Sequence, residues 1–249
     1  MMNDDTSRRA LRIIGNSNSP GGYFTEATIV GDAVIESDLD SLSLKCVGNS
    51  RIEGNLKSRS ARIVGSGVVG GNVSCNRMTI AGNMEAKGSI KAEELIVRGG
   101  LDARGSVKAG DLRTRGYLTV KENCEAERFS STGQVAVGGL LNAGRVDIKL
   151  RGECSISEIG GETIRVNRWS VARLKEMFRS ILLSNPPLSG LLVTNTIEGD
   201  DISIEHTRAH SVRGTNVRIG AGCAIELVEY RGNYHKHKGA KVKSEKKIG

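Results

Sequence analysis

TIVGDAVIESDLDSLSL (28–44), KCVGNSRIEGNLKSRSA (45–61), RIVGSGVVGGNVSCNRM (62–78) and TIAGNMEAKGSIKAEEL (79–95) are four consecutive copies of one 17-residue unit. Three more copies carry the period on to Val146. Gly31, Gly48, Gly65, Gly82, Gly99, Gly116 and Gly133 form one column at this spacing, and six residues on stands a second, Ser37, Gly54, Gly71, Gly88, Gly105, Glu122 and Gly139. A fixed period of this length marks a stacked-repeat architecture, in which no single unit can bury its apolar face alone.

Within each unit the apolar residues alternate with polar ones, the period of a strand rather than a helix. In the second copy Ser50 and Ile52, then Leu56 and Ser58, then Ala61 and Ile63 are the inward pairs. Three inward pairs per unit predict three short strands per turn. A chain that turns three times returns above its start, so each strand bonds to its counterpart one unit later, about 4.8 Å away. The expected fold is all-β, a parallel β-helix with glycines at corners where a Cβ would not fit.

The pattern decays after Val146, where Gly160, Gly161, Ile164 and Val166 suggest one more distorted turn. Leu174, Met177, Phe178, Ile181 and Leu182 then fall at helical spacing, which predicts one inserted amphipathic helix stopped by Pro186 and Pro187. The expected organisation is a polar segment (1–23) with a short LRII strand and a flexible GNSNSPGG linker, then a main β-helix (24–168). The amphipathic helix with its Pro linker (169–187), short C-terminal coils (188–234) and a basic tail (235–249) follow.

No apolar run reaches the roughly 18–20 residues needed to cross a bilayer, and MMNDDTSRRALRII lacks the apolar stretch of a secretory signal. Five cysteines without a CxxC pair suit a reducing compartment, so a cytoplasmic location is expected. Cys46, Cys75 and Cys124 fall in inward columns and behave as small buried hydrophobes, whereas Cys154 and Cys223 lie outside the regular register. The formal charge is +8, and six Lys against one Glu between His235 and Gly249 account for five of those charges. A basic tail without interleaved aromatics offers no stacking platform, so no specific nucleic acid is expected.

No GxxxxGK[ST] loop occurs, and no cofactor, metal or small-molecule substrate is expected. NVRIGAGCAIE (216–226) locally suggests a hexapeptide-repeat acyltransferase, with His206 or His210 as the base on spacing alone, but one match stands against a register of 17. His235 and His237 with either of those imidazoles form a weak zinc set, because the pair opens a Lys-rich tail.

The repeats, GGLLNA (138–143), EIGGETIRV (158–166) and IEGDDISIEHT (197–207) resemble the bactofilin family of polymer-forming bacterial cytoskeletal proteins, over most of the chain from about residue 24. That resemblance implies a right-handed triangular β-helix stacking end to end into nonpolar filaments without nucleotide, with no catalytic site. The expected partner is then the chain itself, and the open edge of the first coil places Phe24, Ile29, Val34 and Ile35 at the polymer interface. A second expected partner is an anionic membrane surface. Trp169, Arg173, Lys175, Phe178 and Arg179 combine a basic and an apolar face, which suits either lipid contact or covering the open flank of the β-helix.

Overall fold

The computed structural model describes residues 8–168 and 190–249. All described elements are β-strands, and each described ladder is parallel. The chain divides into two compact units, Met1–Arg128 and Phe129–Gly249. Each is a parallel β-solenoid. The amphipathic helix expected at 169–187 lies outside the described residues.

In the first unit the strands are β1 (Arg9–Ser19), β2 (Gly22–Ile35), β3 (Leu39–Ile52), β4 (Leu56–Val69), β5 (Val73–Ala86), β6 (Ile90–Ala103) and β7 (Val107–Val120), paired in chain order. From β2 onward each strand spans 14 residues and pairs at the 17-residue offset, as in Gly31 with Gly48 and Ile35 with Ile52. Burial follows the expected columns: in β3 the inward residues are Leu39 and Ser41, Leu44 and Cys46, Ser50 and Ile52. The strands are longer than expected because the hydrogen-bonded ladder continues through the corners between these pairs. Gly48 takes such a corner at φ 123°, and both neighbours stay in the ladder.

The corner tolerates only glycine for two separate reasons. Gly82 sits at φ 136°, a conformation that L side chains rarely adopt, and a Cβ there would lie 2.0 Å from the Gly65 carbonyl oxygen. The corner between successive strands uses side chains instead. The amides of Asn55, Asn72 and Ser89 donate to side-chain oxygens one coil earlier, on Asp38 (2.7 Å), Asn55 (2.8 Å) and Asn72 (2.9 Å). The second glycine column leaves room for this ladder, since a Cβ on Gly88 would lie 2.4 Å from Asn72 Oδ1.

One outward cluster interrupts the otherwise solvated faces. Asp111, only 8% exposed, accepts from Arg113 Nε (3.0 Å) and Nη2 (2.6 Å) and from Arg128 Nη2 (3.0 Å). Burial opposes its ionisation, but the two guanidinium groups outweigh that and hold its carboxyl below the usual aspartate value.

In the second unit β8 (Cys124–Leu150), which starts in the first, is followed by β9 (Glu153–Arg168), β10 (Leu191–Ile204), β11 (Thr207–Ile219), β12 (Ala224–Tyr230), β13 (Tyr234–Lys236) and β14 (Lys241–Lys247). Their period is irregular, with Arg145 opposite Thr163, Gly199 opposite Gly214, Ala209 opposite Ile225, and Ala224 opposite Lys241. β10 pairs with β9 at an offset of 38, Glu153 opposite Leu191; removing the 21 residues from 169 to 189 restores 17. The C-terminal coils expected from the sequence therefore stack on β9 within one ladder. Two segments are more ordered than expected: GNSNS belongs to β1 rather than to a flexible linker, and the basic tail carries β14 paired along β12.

Gly82→Ala is expected to cost more than about 3 kcal/mol, combining backbone strain with a carbonyl clash, whereas Gly15→Ala should cost about 1–2 kcal/mol. Gly15 (φ 86°) has nothing within 4 Å of its Cβ position, so only conformational strain applies. Denaturant midpoints measure both. For Asp111, a depressed folded-state pKa means stability is present above the unfolded value and lost as pH falls. Asp111→Asn should therefore melt below the wild type at neutral pH, and the gap should close as pH drops past 3.8, seen in thermal melts across pH.

Candidate functional site

The strand that ends the first unit is β1, and it changes where the sequence-predicted interface residues lie. Its ladder on β2 runs from Leu11 opposite Ala27 to Ser19 opposite Ile35, so the edge assigned to Phe24 and its neighbours is already occupied. Phe24 is 1% exposed, and Ile29 and Ile35 are fully buried; Val34 is half-buried on the outward face. Phe24 shares an inward column with Ser41 and Ser58, and its backbone carbonyl accepts from Arg8 Nη1 at 3.2 Å. These four residues thus belong to the first coils, and the unpaired strand edge moves outward to β1.

Among the described residues β1 pairs only with β2. From Ile13 to Ser19 the strand reads IIGNSNS, with no charge and no proline, and residues 14–18 are exposed. Arg9 and Arg12 lie at its start, and Arg8 is held by Asp40 at 2.8 Å. Strand edges that must stay single usually carry charge, proline or a covering element. The last described strand of the second unit, β14, fits that description: KVKSEKK holds Lys241, Lys243, Lys246 and Lys247.

The remaining candidates are brought to the surface or into the core. His210 lies outward on β11, its Nδ1 2.7 Å from Glu226 Oε2, while Lys243 Nζ reaches Glu226 Oε1 at 2.6 Å. Those two partners, Lys243 first, hold the Glu226 carboxyl below its ordinary value. The three residues line a shallow groove of about 780 Å³ with Val193, Arg208 and Lys241. His206 takes the corner after β10 at φ 46°, and His237 Nδ1 accepts from the Gly239 amide. The structure therefore places His206 and His210 apart in role, one turning the chain and one in a surface ion pair. Among the described residues no group of three His, Cys, Asp or Glu is placed to hold a metal.

All five cysteines are buried and unpaired with one another. Burial pushes the Cys75 and Cys124 thiols up to about 12 and Cys223 to about 11, which disfavours the nucleophilic thiolate. Cys154, which the repeat register left unassigned, accepts from the Val135 amide at 3.3 Å, and Cys223 donates to the Ile204 carbonyl at 3.4 Å. The membrane candidates Trp169, Arg173, Lys175, Phe178 and Arg179 lie outside the described residues. No described helix is long and apolar enough to cross a membrane.

No family model and no solved structure matches the chain. Two proteins of Bacillus subtilis, both named as uncharacterized, are similar to parts of it. YhbF is 40% identical over 93 residues, which is 37% of this chain and 34% of the relative, and YhbE is 39% identical over 113 residues, 45% and 44%. The matched part of the chain thus spans less than half the length of either relative.

Proposed function

We propose that the chain is a bactofilin-like cytoskeletal scaffold whose right-handed coils self-assemble without nucleotide and without a catalytic step. The observation that carries this reading is the edge of β1, free of proline throughout and free of charge from Ile13 to Ser19. A parallel ladder ending in such a strand leaves a row of N–H and C=O groups that a second copy can satisfy. Antiparallel pairing of two β1 strands about Ile14 sets Arg9 opposite Ser19 and Arg12 opposite Asn16, so no like charges meet. Contact through β14 would instead bring two Lys-rich strands together, and such contact requires screening. The buried thiols suit a reducing, cytoplasmic setting.

Less supports a transferase. The stretch NVRIGAGCAIE spans the end of β11 and the start of β12, and its neighbours lie at 15 residues (Ile202 to Val217) and 17 (Val217 to Tyr234), not at a multiple of six. His210 is engaged by Glu226 in a shallow, open groove rather than held free as a base.

The test uses Asn16→Lys with Asn18→Lys, two outward positions of β1 whose substitution leaves the core untouched. Sedimentation velocity and negative-stain microscopy should show the wild type assembling with and without nucleotide and the double variant at least about tenfold weaker, with unchanged circular dichroism. Equal assembly of the variant, or discrete trimers from the wild type, would overturn the reading. Growth beyond pairs should increase as salt rises from about 0.05 to 0.5 M, because the Debye length falls well below 10 Å and the β14 lysines cease to repel.

A further inference from the structure

Outward columns of the second unit change sign from coil to coil. On one, Glu198, Arg213, Glu229 and Lys246 stand in register, with Arg213 2.7 Å from Glu229 and 4.0 Å from Glu198. On another, Glu226 lies between His210 and Lys243, at 2.7 and 2.6 Å. Carboxylates thus alternate with basic groups along the stack, each favourable pair lying across adjacent strands. Both series stop on a lysine, and a third column, Val193, Arg208, Ala224 and Lys241, ends on one as well.

All three lysines belong to β14, which among the described residues pairs only with β12. Lys241 and Lys246 are exposed, and among the described residues neither makes an ion pair. The inward side has closed over. Above the buried Ile225 and Val228, β14 sets half-buried Val242 and the exposed Glu245, and Glu245 pairs with Lys236 of β13, which stands over Ile219. The core is therefore capped by polar groups, whereas the backbone edge of β14 is open.

The open edge and the lysines together decide what covers it. The edge needs backbone N–H and C=O groups about 4.8 Å away, which an extended polypeptide supplies and a nucleic acid does not. The lysines need carboxylates. Neither described edge of a second copy brings them, because β1 carries Arg9 and Arg12 and β14 is itself lysine-rich. The occupant is then a different chain, and the columns set its spacing. Acids stand opposite Lys241, Lys243 and Lys246, with an apolar residue opposite Val242 between the first two. Lys243 is shared between Glu226 and the new carboxylate, as Arg213 is shared between Glu198 and Glu229.

We propose that β14 is a docking edge for an acidic, extended segment of a partner protein, which adds to the solenoid as one further parallel strand. This goes beyond the scaffold reading and does not depend on it, since a single copy carries the whole edge. Fluorescence polarisation with the full chain at about 0.05 M salt tests it, using the labelled peptide Ser-Asp-Val-Glu-Ser-Thr-Glu-Thr-Ser and a scrambled peptide of the same composition. The ordered peptide should bind at least about tenfold tighter than the scrambled one and should slow amide hydrogen exchange along 241–247. Lys241→Glu with Lys246→Glu should weaken binding about tenfold or more with an unchanged thermal melt. A peptide with Lys in place of its first and last acids should bind that variant in turn. No binding by the wild type overturns the proposal, as do equal binding of the two peptides, equal binding by the variant, or unslowed exchange in β14. Displacement by duplex DNA with no preference between the peptides would reduce the edge to a general polyanion surface and also overturn it.

Discussion

Each coil of the first unit is placed by the carbonyl oxygen of the glycine one coil below. That oxygen occupies the volume where the next Cβ would stand, 2.2 Å from it at Gly48 and Gly65 and 2.0 Å at Gly82 and Gly116. The parallel ladder and the positive-φ corner are therefore one constraint seen twice. A side chain at any of these positions would push a whole coil away from its neighbour and lengthen a row of hydrogen bonds. The inward pairs can vary among Leu, Ile, Val, Met, Ala, Ser and Cys because the corner, not jigsaw packing, sets the coil spacing. In the second unit β10 meets β9 at the same 17-residue offset once the residues from 169 to 189 are left out of the count.

The regular coils were legible because every position recurs at a constant offset, so seven weak signals add. Where the offset changes, the signal disappears although the physics does not. Gly15 stands 16 residues before Gly31, and a bulge separates Arg9 from Leu11, which kept β1 out of the repeat and made its GNSNS read as linker. The offset of 15 between β10 and β11 likewise made those coils look irregular. β14 was hidden by composition: Val242 opposite Ile225 continues an inward column, but four lysines dominate the segment. The Asp38, Asn55, Asn72 and Ser89 ladder recurs at 17, yet its residue type drifts from acid to amide to hydroxyl. Its shared property, a short side chain bearing an acceptor oxygen, was the readable signal.

The interface residues show how a correct period can be used incompletely. Phe24, Ser41 and Ser58 follow one another at 17, and Ser58 is an inward residue of the second copy, so the same rule puts Phe24 in the core. The edge expectation at Phe24 comes from the start of the regular repeat there. An edge is a property of the last paired strand, and β1 could be recognised as that strand only once its hydrogen bonds were known.

Solenoids have two kinds of surface that differ in their chemistry. Strand edges offer backbone groups whose satisfaction is directional and sequence-tolerant, so whether they join is decided by what blocks them. Corners and faces offer columns, in which one residue choice is multiplied along the stack. A single exposed valine needs no explanation, but Ile14, Val30 and Val47 stacked in one column show one residue choice multiplied along the ladder. Ile14 belongs to both, since it heads the column and lies on the edge strand β1, so whatever joins the edge also meets the end of the column.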